Sequence, residues 1–271
     1  MSENTQDSFM NQSEASINEG INLDLKKHAS RENFTLAEMM LIATRKLAEE
    51  GHSPYLAGQV TVREEEQDTF WSTDLMKNFA EVDYENLIRF DRQMKIIEGR
   101  GMANPAVRFH LWIYEKRADI KAIVHTHPPY ASALSTLEQE LVVSHMDTMP
   151  VYGNCAFVAD WPGVPVGNSE GELIANALGE TNTCALLGHH GILATGKTLE
   201  EALYLAIILE HAAQMQITAS SAGSIKPIDE KLAEQARDFL LMDAVVNATV
   251  DSWGRMLFKN NPDMQRVAES K

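Results

Sequence analysis

Two histidines one residue apart, His125-Thr126-His127, and a second pair, His189-His190, held between Gly188 and Gly191, are the residues whose types and spacing carry the clearest chemistry. Side chains two apart on an extended segment point to the same side, so His125 and His127 can reach one ion. A turn bracketed by glycines lets backbone and side chain approach a site closely, and it offers a place for a third imidazole. Three neutral imidazoles with an open coordination position make a catalytic metal centre able to polarise a carbonyl or activate water. A His-x-His pair alone also fits ordinary surface or core histidines, so its setting decides. His110 stands four positions after Ala106 on a predicted helix, and the two share a face. Its imidazole ordinarily titrates near pH 6.5 and can act as acid or base.

The elements that must position these groups follow from periodicity. Residues 121–125 form a short apolar strand ahead of His127, and Pro128-Pro129 opens a helix carrying Tyr130, Ala133, Leu134 and Leu137. Strands over 184–187 and 192–195 flank the second histidine pair. A long helix over 198–219 follows; its apolar stripe is Leu199, Ala202, Leu203, Ala206, Leu209 and Ala213, and Glu200, Glu201 and Glu210 read as its solvated face. Upstream, Thr35 and Gly51 bound a helix, and strands over 55–63, 69–72 and 87–90 read as an antiparallel set. Asn104-Pro105 opens a helix with Val107, Leu111 and Tyr114 on one face. Further helices are predicted over 169–178, 230–246 and 248–258. Helices and strands alternate, which predicts α/β layering. The boundaries read as a flexible polar leader over 1–30, one domain over 31–260 and a flexible tail over 261–271.

Composition excludes several functions. Of 271 residues, 23 are Lys or Arg and 39 are Asp or Glu, a formal net charge of −16, and such a surface does not suit a nucleic-acid backbone. No apolar run approaches the roughly 18 residues of a membrane span, and the first twenty residues lack a signal peptide's basic start and apolar stretch. A cytoplasmic protein is expected. Two cysteines, Cys155 and Cys184, cannot form a disulfide framework and read as small buried hydrophobes. Of the thirteen methionines, Met39, Met40, Met146 and Met149 fall within apolar runs that core packing explains.

The continuous block RFHLWIYEKRADIKAIVHTH (108–127), its extension AIVHTHPPYASALS (122–135) and the later block ALLGHHGILATGKTLEEALYLA (185–206) resemble the class II aldolase and adducin head-domain family. The resemblance covers roughly residues 34–222. It takes in fuculose-phosphate and rhamnulose-phosphate aldolases and ribulose-phosphate 4-epimerase. It implies a three-layer α/β/α fold with a large central mixed β-sheet. It implies that His125, His127 and His190 hold one divalent metal ion, commonly zinc, with iron and manganese also suited to imidazole, and that His189 lies beside the ligand set. It further implies a homotetramer with the active site at a subunit interface.

The sequence departs from the sugar-phosphate aldolases where their metal-binding, proton-transferring carboxylate stands. Asn104, Pro105 and Ala106 occupy that segment, and alanine cannot transfer a proton. The phosphate-contacting serines are absent, and the phosphate loop, expected over 72–79, reads STDLMKNF. A small, non-phosphorylated, anionic substrate, a 2-oxo or 2-hydroxy acid, is therefore expected at a doubly charged ion ringed by neutral ligands. Candidate substrate contacts are Gln59, Asn104, Arg108 and His189. Candidate proton-transfer groups are His110 and Tyr130, whereas Tyr152 and His145 read as structural. The function expected is a metal-dependent carbon–carbon lyase, an aldolase or decarboxylase. One alternative is a non-haem iron oxygenase, since the missing carboxylate is similar to that in the prenylated hydroxyphenylpyruvate oxygenases. Another is a non-catalytic, adducin-like binding module.

Overall fold

The computed structural model describes residues 12–28, 31–53, 55–164 and 168–264. Its centre is an eight-stranded sheet of β1 (Gln59–Glu64), β2 (Thr69–Thr73), β3 (Leu87–Phe90), β4 (Ile96–Glu98), β5 (Ala122–Thr126), β6 (Cys155–Val158), β7 (Cys184–Leu187) and β8 (Gly191–Gly196). The spatial order is β4-β3-β2-β1-β5-β8-β7-β6. Only β6 and β7 run parallel, which makes the sheet mixed. The helices are α1 (Glu14–His28), α2 (Leu36–Glu49), α3 (Val107–Lys116), α4 (Pro129–Ser135), α5 (Ser169–Leu178), α6 (Leu199–Ala222), α7 (Glu230–Leu240) and α8 (Asp243–Asn260).

Both sheet faces are covered, giving the three α/β/α layers expected. On one face Ile123, Ala185 and Leu193 pack under Phe109 and Ile113 of α3 and Ile174 and Leu178 of α5. On the other, Val124, Leu186 and Ala194 pack against Ile42 of α2 and Leu203 and Ala206 of α6. All five residues of β5 are buried, which explains why Ala122-Ile123-Val124 reads as a continuous apolar run without alternation. Glycines set two close contacts between layers. A Cβ at Gly171 would meet Trp112 of α3 at 2.8 Å, and at Gly58 (φ 99°), where the chain turns into β1, a Cβ would lie 3.0 Å from the His125 carbonyl oxygen.

Several boundaries differ from the sequence reading. β1 starts at Gln59, because the positive φ at Gly58 interrupts the extended run predicted from residue 55. Asn104 caps a turn, its Oδ1 accepting the Ala106 N–H at 2.9 Å, but the helix begins only at Val107. β4 and β6 have three and four residues, too few for a recognisable period. The break between the last two helices lies at Leu241-Met242, where the Met242 carbonyl accepts the Val245 and Val246 N–H groups, and Asn247 is accommodated inside α8.

Within the segment read as a leader, α1 forms with Ser13 Oγ accepting the Ser16 N–H at its start. Its apolar residues Ile17, Ile21 and Leu23 stay largely exposed, so no buried stripe marked it in sequence. Residues 1–11 and 29–30 lie outside the described residues. At the other end Met264 is buried and Asp263 pairs with Arg45 at 2.8 Å, carrying the packed structure past residue 260; residues 265–271 lie outside the described residues. Among the described residues no helix is long and apolar enough to cross a membrane.

Candidate metal centre

His125 and His127 stand at the end of β5, and His190 stands in the three-residue turn between β7 and β8. Because β5 pairs with β8 through His125 opposite Leu193 and Thr126 opposite Ile192, that turn is brought over the His-x-His segment. The three imidazoles each offer a ligand atom, all within 4.8 Å of one another, and their ring centroids are 4.7 to 4.9 Å apart. Gly191 permits the approach, since a Cβ there would lie 2.4 Å from the Thr126 carbonyl oxygen and 2.8 Å from His127 Cδ2.

The donor set fits a cation. His125 Nδ1 is 2.8 Å from the Ile192 carbonyl, which can only accept, so Nδ1 carries the proton and Nε2 presents a lone pair. That lone pair faces His127 Nε2 at 3.0 Å. Burial, with His190 and His127 adding, holds the His125 imidazole well below its ordinary range, and burial with His190 takes His127 down to about 4. Both are neutral near pH 7, the form that ligates metal. His190 Nδ1 lies 2.8 Å from Glu170 Oε1 of α5, so its Nε2 is also left for the centre. Sequence reasoning missed Glu170, since nothing in residues 169–178 connects that helix to a turn twenty residues on.

The other candidates divide. Gln59 is paired with His125 across β1 and β5, so the two share a face, and its buried Oε1 has no partner. Gln59 and Asn104 line one cavity with Ser53, Ser72, Thr73 and Asp74. His110 Nδ1 is bonded to Thr61 Oγ1 at 2.8 Å, and Thr61 to the Tyr114 hydroxyl at 2.9 Å. Burial pushes the His110 imidazole down to about 3, and its Nε2 is buried without a hydrogen-bond partner. Tyr130 is 37% exposed at the first turn of α4. Arg108 is exposed and belongs to a separate groove with Arg92, Trp112 and Glu115. His189 takes a left-handed φ of 53°, and its exposed ring meets Glu138 at 3.1 Å, so the turn uses its backbone while the side chain faces away from the triad's enclosed set. His145 caps the 146–151 turn, and the Tyr152 carbonyl accepts from Arg237. Both cysteines are free, and burial raises their thiols, Cys155 up to about 12.

Two supporting residues escaped the sequence reading. His52, fully buried, joins Thr126 Oγ1 through Nδ1 at 2.9 Å and accepts the His127 N–H on its carbonyl. Glu210, expected on a solvated face, is 4% exposed and accepts the Tyr130 and Ala131 N–H groups. A carboxylate in an apolar stripe reads as solvent-facing unless its backbone partners, eighty positions away, are known.

Residues 38–217 match the family described as the class II aldolase and adducin N-terminal domain. The chain belongs to that family. A 4-hydroxy-3-prenylphenylpyruvate oxygenase/4-hydroxy-3-prenylbenzoate synthase of Streptomyces roseochromogenus subsp. oscitans is 29% identical over 181 residues, 66% of this chain and 65% of that protein. Decarboxylase NovR of Streptomyces niveus is also 29% identical over 181 residues, covering 66% of this chain and 67% of its own. The match thus spans about two thirds of each relative's length. In structure, the L-fuculose 1-phosphate aldolase from Glaciozyma antarctica PI12 superposes with a TM-score of 0.78 at 26% identity, over 87% of this chain and 96% of that one. In this class II aldolase/adducin domain Ala106 is buried at the N-terminus of α3.

Proposed function

We propose that this protein is a divalent-metal-dependent carbon–carbon lyase, an aldolase or decarboxylase, acting on a small non-phosphorylated hydroxy- or oxo-acid. The observation that carries the reading is the convergence of ligand atoms from His125, His127 and His190 within 4.8 Å. A divalent ion held there, zinc by family resemblance, would polarise the substrate carbonyl and favour the enolate left when a carbon–carbon bond breaks.

The chain's own residues define the rest. With Ala106 in place of a carboxylate, the donor set is neutral and favours an anionic substrate. The adjoining cavity presents the buried Gln59 Oε1 and the Asp74 carboxylate, whose Oδ1 accepts the Met76 and Met102 N–H groups. Lys77, on the same cavity, is within 3.7 Å of Glu81. Asp74 repels a phosphate dianion and suits hydroxyl donors. His110 packs beside His125, and the partly exposed Tyr130, three residues after His127, or solvent water moves the proton. Exposed Tyr55 and Leu56 on this cavity support assembly of a homotetramer over the site, which light scattering in solution measures.

A second reading, a non-haem iron oxygenase, is favoured by the similarity to the Streptomyces oxygenase. Elemental analysis of chelator-free protein against His127→Ala separates the readings. About one zinc or manganese per chain, lost in the variant, supports the lyase, and cleavage of an oxo- or hydroxy-acid without dioxygen excludes the oxygenase. Stoichiometric iron with oxygen-dependent turnover reverses that order. No metal uptake at all leaves an adducin-like binding role.

A further inference from the structure

Glu170 is an acidic residue 4% exposed in the first turn of α5, and a buried carboxylate is costly unless it is paired. Among the described residues its one ion-pair partner is His190, with Oε1 2.8 Å from Nδ1 at side-chain exposures of 5% and 9%, a close charge contact whose angle falls short of a hydrogen bond, so that Nδ1 too is buried without a hydrogen-bond partner. Its second oxygen, Oε2, is buried with no partner. The carboxylate is held in place by packing, because Gly171 presses α5 onto Trp112 of α3 so closely that a Cβ would overlap the indole at 2.8 Å. The His190 backbone is fixed from the other side by the glycine-bracketed turn, where a Cβ at Gly188 would lie 2.7 Å from the Ala159 carbonyl oxygen.

We propose that Glu170 is a positioning residue of the metal centre: it holds the proton of His190 on Nδ1, directs Nε2 to the ion and supplies the site's nearby negative charge. This rests on the metal reading above. His125 has the matching arrangement, with its Nδ1 proton on the Ile192 carbonyl, but a carbonyl is neutral. Only the Glu170 contact makes a ring nitrogen of the triad more electron-rich through a full charge. At Ala106 the chain has no carboxylate to contribute directly, so the anion stands one residue behind the ligand. The centre keeps its open positions while the charge of the bound ion is partly balanced.

The test titrates Co(II) into the metal-free full chain in competition with a chelator, comparing wild type, Glu170→Gln, His127→Ala and Glu172→Gln. Glu172 is the exposed carboxylate two residues on and controls for surface charge. Glu170→Gln should bind Co(II) about 10–100-fold more weakly, with a shifted visible absorption band and an unfolding temperature for the metal-free protein close to wild type. Glu172→Gln should match wild type. Equal affinities for wild type and Glu170→Gln, alongside loss of binding in His127→Ala, overturn the role of Glu170 and leave the metal reading standing. Failure of wild type to bind Co(II) overturns the metal reading and this inference with it. Nitrogen-15 spectra of wild-type imidazoles decide independently of whether the variants fold: His190 should carry its proton on Nδ1, and an Nε2-protonated His190 in the metal-free chain overturns the proposal.

Discussion

Glu210 of α6 accepts the backbone N–H groups of Tyr130 and Ala131 at 2.8 and 2.7 Å, tying a 24-residue helix to the first turn of α4, three residues beyond His127. The carboxyl serves as a cap supplied from another helix, since Pro128 and Pro129 offer α4 no side-chain cap of their own. Burial raises it to about 7 while the two N–H groups act in the opposite sense. A raised carboxyl contributes stability that is present below the ordinary carboxylate range and lost as pH rises through about 7. Glu210→Gln, which cannot ionise, should therefore gain on wild type between about pH 4.5 and 7, by at most about 1.4 kcal/mol per pH unit. Urea unfolding at several pH values measures it, and parallel curves for the two proteins would refute it.

His52 and His110 should produce an acid limb of the opposite sign. Burial takes both imidazoles down to about 3, so the folded chain stays neutral where the unfolded chain binds protons. Their contribution is undiminished above about pH 6.5 and is lost as pH falls toward 3, at up to about 1.4 kcal/mol per pH unit for each group. His110→Leu leaves Thr61 bonded to the Tyr114 hydroxyl. Its unfolding free energy, measured with chelator present, should fall less steeply below pH 6.5 than that of wild type. An unchanged slope would mean His110 is protonated in the native protein.

The turn that carries His190 tolerates no side chain at Gly191. Adding a methyl group 2.4 Å from the Thr126 carbonyl oxygen and 2.8 Å from His127 Cδ2 must displace β5 or the His127 ring. Gly191→Ala should cost about 1–3 kcal/mol by overpacking and lower the metal content per chain in elemental analysis. Full stoichiometry at wild-type stability would show that the centre is more plastic than this geometry allows.

Gln59 and Arg108 were both read from sequence as substrate contacts, and their surroundings separate them. Gln59 shares the cavity beside the triad, and Arg108 lies in a groove with Arg92 and Glu115. Calorimetry of pyruvate, a probe 2-oxo acid, with the zinc-loaded protein should find binding weakened about tenfold in Gln59→Leu, the loss of one buried hydrogen bond, and changed less than about twofold in Arg108→Ala, where only an exposed charge is removed. The reverse order would relocate the substrate.

By itself the sequence determined the class and pointed to the three histidines that converge. The apolar runs of β5 and β7, the amphipathic helices between them and the His-x-His spacing are local properties, set by side-chain periods of two and 3.6 residues, and the glycines around His189-His190 announce a close turn wherever it lands. The tertiary structure alone decided what surrounds the ligands. Glu170 meets His190 because β6 runs parallel to β7 and carries the chain to α5 above the sheet. Glu210 leaves its apparent polar face because two backbone N–H groups eighty positions away need an acceptor. The His110 imidazole is pushed down only when α3 is laid on β1 and β5 and water is excluded from its ring. Periodicity along a chain records which side of an element is buried; which charge, donor or ring it is buried against depends on the packing of elements distant in sequence, and that packing sets the electrostatics of the site.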